Sequence, residues 1–404
     1  MSVPRLVVVS PFLDKLHGTE RCVVEQVERL AAEYEAHVYS NFVADLDLSR
    51  IVWHRVPALP GPHLFAYCWW ILANHFQRWR DARYRGLAPD LVYSPGINCF
   101  DADVISVHML FSEYRLRMRT ALELGTNPLH WPRLLHRRIY YRLLTALERW
   151  VYGSNRALLI VVSRNLAGTM KRYGKAPSQL PIITHGIDVR RFSPDRRLQL
   201  RPSARQAFGL SDSDFCLLLI GNHWKNKGLD ALLGALGRLD SARVRLMAVG
   251  DDTVEPYSAA LRRLRLQDQV TFLASRPDVE VYYAAADAYV GPSLQDAFAL
   301  PALEAMACGI PAIVSSRAGV SELITDGVNG FVLDDPEDSA RLADLIALLV
   351  SSESLRSKIA DAAVQTARQY TWERNAEQLD QVFKQVLRKP NRGRALAAAH
   401  ERAQ

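Results

Sequence analysis

The 404-residue chain reads as an α/β protein built of two doubly wound halves, and three observations predict this. Short apolar, β-branched runs alternate with longer stretches of helical periodicity, the pattern of parallel strands joined by crossover helices. The runs fall into two series that part near residue 187. Hydrophobic residues make up 49% of the chain, with 21 Gly and 20 Pro, enough for two packed cores and too many for a disordered chain.

In the first series, strands are expected at Arg5–Ser10, His37–Ser40, Leu91–Ser94, Val104–Val107, Leu158–Ser163 and Pro181–Thr184. Ser10 to Arg21 (SPFLDKLHGTER) leaves the first strand and enters a helix beginning near Glu20, and Gly18 permits a tight turn between them. His108 closes the strand Val104–Val107 at its C-terminal edge, where open α/β sheets bind ligands. A plain strand-to-helix turn and a structural histidine are the competing readings of these two positions. Ser163-Arg164 closes another strand in the same way.

In the second series, strands are expected at Phe215–Ile220, Val244–Val249, Val270–Leu273, Ala288–Val290, Ala312–Val314 and Gly330–Leu333. Ile220 to Gly228 (IGNHWKNKG) opens the helix Leu229–Gly237, and Lys227 at that place can reach an anionic group as a point charge on a flexible stem. The stretch Gly291 to Ser315 (GPSLQDAFALPALEAMACGIPAIVS) carries most of the chemistry. Asp296 lies in a loop, a helix starts near Leu300 with Pro301 in its first turn, and Glu304 stands about one turn in. Gly309 supplies a left-handed C-terminal cap and Pro311 forbids continuation. Such a helix start offers backbone N–H groups and a partial positive charge to a phosphate or diphosphate. Carboxylates on either side of it can accept hydrogen bonds from a vicinal diol. Diphosphate and diol together describe a nucleotide sugar.

This segment resembles the acid, seven residues, acid signature of retaining GT-B glycosyltransferases of family four, E-x-F-G-L-P-x-x-E-A-M-A-x-G-x-P. The chain keeps Phe298, Leu300, Pro301, Glu304, Ala305, Met306, Ala307, Gly309 and Pro311. It departs at Asp296, one methylene shorter than the commoner Glu, and at Ala299, where Gly is usual. Lys227 matches the lysine of the family's G-R-x-x-x-x-K-G motif, whose Arg is Asn222 here, with Lys225 as a second cation. His17-Gly18 stands where the family has two glycines, HGIDVRRFSP is similar to its N-G-I-D-x-x-x-F-x-P junction, with Pro194 expected to start the linker, and His108 falls at a strand end where the family often has His.

The resemblance implies two Rossmann-like domains facing a central cleft: an acceptor-binding domain over 1–187, completed by 372–404, and a nucleotide-sugar-binding domain over 188–371. The helix from Glu373 to Leu387 would be the terminal helix that returns to the first domain. It also implies transfer with retention at the anomeric carbon, without a cofactor or a required metal. UDP-, GDP- or ADP-sugar would be the donor, and a glycan or lipid-linked molecule of surface polysaccharide or lipopolysaccharide synthesis the acceptor. Lys227, Asp296 and His108 would be catalytic. Glu304, Gly18, Phe298, Ala299, Leu300, Asn222 and Lys225 would bind the donor, with backbone N–H groups near Ala299 and Leu300 on the leaving diphosphate. A GT-B epimerase and a non-catalytic nucleotide-sugar-binding homologue are the alternatives.

Five scattered cysteines without CxxC spacing suggest neither a disulfide framework nor a zinc site. Asp101-Ala102-Asp103 reads as a strand cap and not as a metal-binding D-x-D. Met1 runs directly into an apolar strand, so no secretion signal is expected, and Leu64–Leu72 is far short of the ~20 residues that span a bilayer. The expected location is cytoplasmic, peripheral at the inner face of the cell membrane. The net charge of +7 is concentrated locally: Phe111–Trp150 holds eight arginines against three glutamates, and both this segment and Phe65–Arg85 are basic and aromatic, as suits an anionic membrane surface. The competing reading is two ordinary amphipathic helices with solvated arginines. No nucleic-acid-binding module accompanies the charge.

Overall fold

The computed structural model describes residues 3–16, 18–117, 131–239 and 241–388. His17, the 118–130 part of the basic segment and the tail Lys389–Gln404 lie outside the described residues. In chain order the strands are β1 (Arg5–Val9), β2 (Phe12–Leu13), β3 (Glu35–Ser40), β4 (Phe42–Val43), β5 (Ile51–Arg55), β6 (Leu91–Pro95), β7 (Val104–Val107) and β8 (Leu158–Val161), then β9 (Phe215–Ile220), β10 (Val244–Val249), β11 (Val270–Leu273), β12 (Ala288–Gly291), β13 (Ala312–Ser315) and β14 (Phe331–Leu333). The helices that matter below are α1 (Gly18–Leu30), α2 (His63–Arg85), α3 (Trp131–Gly153), α4 (Pro194–Ala207), α5 (Leu229–Leu236), α6 (Leu300–Ala307) and α7 (Trp372–Arg388).

The chain divides into two compact units, one of residues 1–162, 167–183 and 375–404, the other of 163–166 and 184–374. Each holds a six-stranded parallel sheet, ordered β5-β3-β1-β6-β7-β8 in the first and β11-β10-β9-β12-β13-β14 in the second. In both, the strand order reverses beside the first strand of the sheet, so a crevice opens at the C-terminal ends of β1 and β6 and again at those of β9 and β12. The first core packs Leu6, Val8, Val24, Val38 and Tyr93 with Leu379 and Phe383 of α7, so the last helix completes the first unit. The second packs Leu217, Leu219, Leu232, Leu246 and Val290 with Leu342 and Ile346.

Three expectations are corrected. Pro181–Thr184 is no strand: Pro181 has no N–H to donate, and only an isolated bridge joins Ile182 to Val161. Pro194 opens α4 behind the Ser193 cap and does not begin a linker, since a proline at the first helical position loses no intrahelical bond. The strand β5 was not expected, because on this edge strand only Ile51 and His54 are buried, while Val52 and Arg55 face out.

Candidate functional site

In the second unit, two loops leave the sheet at the strand-order reversal, one after β9 and one after β12. The first, Gly221 to Gly228, folds back so that Gly221, at φ +137, lies under the Lys227 stem; a Cβ there would sit 2.6 Å from the lysine Cε. Gly228, at φ +83, packs against the second loop so closely that a Cβ would fall 2.0 Å from the Pro292 carbonyl oxygen. Asn226 fastens the pair, donating from Nδ2 to Gln295 O at 2.9 Å and accepting at its own carbonyl from Leu294 N–H at 2.8 Å.

This scaffold brings Lys227 and Asp296 together, Nζ to Oδ2 at 2.5 Å, with both side chains mostly buried. The other Asp296 oxygen accepts from Phe298 N–H at 3.2 Å and Ala299 N–H at 2.9 Å, so the carboxylate organises the entry to α6. In this structure the Ala299 N–H, expected near the diphosphate, donates to Asp296. Ala299 adopts the left-handed conformation, φ 69 and ψ 63, where glycine is the unstrained residue. Phe298 is buried against the His185 ring at 4.9 Å, and Leu300 is buried at the helix start.

Glu304 is 3% exposed, and its Oε2 accepts from the Tyr283 hydroxyl at 2.5 Å. Burial, and then the Glu304 carboxylate, hold the Tyr283 phenol well above its usual range, so it stays protonated and donates. Asn222 accepts from Asp251 N–H at 2.8 Å, and Lys225 is exposed on the same loop. Sequence reasoning missed Tyr283, Asn226 and Gly228. It also missed Gly319, which with Ser163 supports the acidic loop from behind: Ser163 Oγ donates to Ala297 O at 2.8 Å, and Gly319 N–H donates to Asp296 O at 3.1 Å. The lysine-glycine pair in the chain was the available signal for Gly228; nothing local marks Tyr283.

The first unit holds His108 and Gly18. His108 Nε2 lies 2.9 Å from Ser106 Oγ, which lies 2.8 Å from the Tyr93 hydroxyl. Tyr93 donates to Gln26 Oε1 at 2.9 Å, and Gln26 Nε2 donates to Asn375 Oδ1 at 2.9 Å. A buried polar chain therefore runs from α7 through α1 and the sheet to the imidazole and fixes its orientation. His108 lines a cavity of about 350 Å³ together with Glu20, Asn98, Tyr67, Trp70 and Tyr140. Gly18 opens α1 with no atom near its missing Cβ, so space alone does not require glycine there. Asp101 and Asp103 have structural duties, Asp101 pairing with Arg78 at 2.7 Å and Asp103 accepting from Val92 N–H at 2.8 Å.

Two doubly wound units of parallel strands and helices define the GT-B fold, and the second presents a paired lysine and acid beside a helix start with a second acid within it. The family model described as Glycosyl transferases group 1 matches residues 201–366, and the model Glycosyltransferase Family 4 matches residues 16–191. Each model covers less than half of the chain, and the two together match most of it. The chain is 31% identical to a D-inositol 3-phosphate glycosyltransferase of Segniliparus rotundus over 55% of this chain and 51% of the relative. It is 27% identical to the lipopolysaccharide glucosyltransferase WaaG of Escherichia coli over 55% of this chain and 61% of the relative. The chain thus spans about half to three fifths of the length of the curated relatives it matches. Among solved structures, WaaG superposes with a TM-score of 0.75 at 20% identity, covering 93% of this chain and 99% of that one. Anabaena HepE in complex with UDP-glucose superposes with a TM-score of 0.70 at 21% identity, covering 94% and 99%.

Proposed function

We propose that the chain is a retaining, metal-independent glycosyltransferase that moves a sugar from a nucleotide-sugar donor to a glycan or lipid-linked acceptor of cell-surface polysaccharide or lipopolysaccharide synthesis, at the inner face of a membrane. The observation that carries the reading is the Lys227–Asp296 pair at the start of α6, held by two loops at the strand-order reversal of the second unit. In this reading the second unit holds the donor and the first the acceptor. Lys227 leaves Asp296 for the leaving diphosphate and neutralises its developing charge, which is the largest lever available to such a site. Asp296, freed, accepts hydrogen bonds from donor-sugar hydroxyls. Glu304 takes the ribose diol once Tyr283 yields its place. Asn222, Lys225, Phe298 and Leu300 line the donor's seat, and His108 and Gly18 act from the first unit. The names of the relatives, which include a glucosyltransferase, and of a neighbour solved with UDP-glucose, favour a UDP-sugar over GDP- or ADP-sugars. No helix among the described residues is long and apolar enough to cross a membrane.

The test is thermal stabilisation by UDP, GDP, ADP and their sugar conjugates, with wild type and Lys227→Ala side by side. Ligand at a hundred times its dissociation constant adds about 2.7 kcal/mol. A response to one base that fades in the variant names the donor class. No response to any nucleotide overturns the donor assignment.

A further inference from the structure

The helix α2 is inside out. Its buried positions are Trp70, Asn74, Arg78 and Asp81, a mostly polar row at helical spacing. Each polar member has fixed partners: Asn74 donates to Trp70 O at 2.6 Å, Arg78 grips both Asp101 oxygens at 2.7 Å, and Asp81 accepts from Tyr39 at 3.1 Å. The opposite face carries Phe65, Trp69, Leu72, Phe76 and Trp79 at intervals of four, three, four and three residues, exposed to 59%, 41%, 67%, 61% and 51%. Isolated exposed apolar residues are ordinary, but a continuous stripe of five is a surface made to be covered. The neighbouring α3 extends it with exposed Trp131, Leu135 and Ile139, and the two helices meet where the Phe65 and His136 rings stand 6.2 Å apart.

We infer that this two-helix face docks onto an anionic lipid bilayer and lies in its headgroup layer. Charge decides between this and a second copy of the chain or another protein. The sole acid of α2, Asp81, and the sole acid of α3, Glu148, are both fully buried, and Arg80 and Arg85 pair with Asp81, whereas Arg83, Arg142 and Arg149 are exposed. Aromatic anchors framed by cations suit acidic headgroups over an apolar layer, and would repel an identical basic face. The same helices wall the first-unit cavity with their other sides, through His63, Tyr67 and Trp70 of α2 and Tyr140 and Tyr152 of α3. A lipid-linked acceptor would then be met at the surface that carries it. That last step rests on the function proposed above; docking itself does not.

The experiment is sedimentation of the full chain with phosphatidylglycerol–phosphatidylcholine vesicles and with pure phosphatidylcholine, for wild type, Leu72→Glu and Phe76→Glu, with light scattering of each protein alone. Wild type is expected to sediment with the anionic vesicles, less so as salt rises, and each variant to bind about tenfold more weakly. Failure to bind anionic vesicles at low salt overturns the inference. So does a wild-type dimer that both variants split while vesicle binding stays unchanged, because the face would then belong to a second copy. Nucleotide stabilisation measured on the same variants separates the two readings: vesicle binding without a nucleotide response sinks only the function, and the reverse sinks only the docking surface.

Discussion

Ala299 is the residue where the chain departs most tellingly from what its backbone asks. At φ 69 it holds a conformation that costs an L-residue about 1–2 kcal/mol and costs glycine nothing. The unfolded chain offsets part of this, since glycine has about 0.4–1 kcal/mol more backbone entropy to lose. Ala299→Gly is therefore expected to stabilise the second unit by about 0.5–1 kcal/mol, a rise of about 2 °C in thermal midpoint. A fall in midpoint on substitution would show that the methyl group contributes packing worth more than the strain. The departure was legible in the sequence; its backbone cost was not, because only the fold shows Asp296 bending the chain there through the Phe298 and Ala299 amides.

Among the elements, β9 falls on the residues expected of it, because a buried parallel strand is a continuous apolar run that betrays itself. α2 was legible as basic and aromatic but not as inverted, since a periodic pattern does not say which of its two faces is turned inward. Beneath it lies a cluster with a pH signature. His54 of β5 stacks on Tyr39 at 4.3 Å, its Nε2 is 2.7 Å from His37 Nδ1, and its Nδ1 is 3.4 Å from Asp81, with Glu35 beyond His37 and Arg80 and Arg85 reaching Asp81. Burial, and then His37, lower the His54 pKa, against a smaller opposite pull from Asp81. The unfolded chain therefore takes up this proton first as pH falls. The stability contributed is complete above pH 6.5, the unfolded value, and is lost as pH drops from there through the folded value. The thermal midpoint is expected to fall below pH 6.5 in the wild type and to fall less steeply in His54→Gln. An unchanged slope in the variant would assign the acid sensitivity elsewhere.

At the scale of the whole molecule, the chain passes from the first series of elements to the second near residue 184 and returns at 374, and the two passages lie side by side within the second unit. Ile187 N–H donates to Tyr370 O at 2.9 Å, and Ile187 bridges Thr371. The sequence showed both passages as resemblances, HGIDVRRFSP and the helix from Glu373 to Leu387, but gave no sign that they touch, because pairing between residues so far apart leaves no local pattern. Gly186 is where they press together. A Cβ there would lie 2.4 Å from Trp372 N and 2.6 Å from Thr371 C and Trp372 Cα, all backbone atoms that cannot swing aside as a flexible side chain would. Trp372 is itself fully buried, so its end of the contact has nowhere to retreat. Gly186→Ala must then separate the passages, lose the Ile187 pairing, or disturb Trp372, and a cost of about 2–3 kcal/mol is expected, in the range of overpacked cores. Circular dichroism melts of the variant should show a midpoint several degrees lower. A variant as stable as wild type would mean that the two passages separate freely, and that the pairing at Ile187 contributes little to the fold.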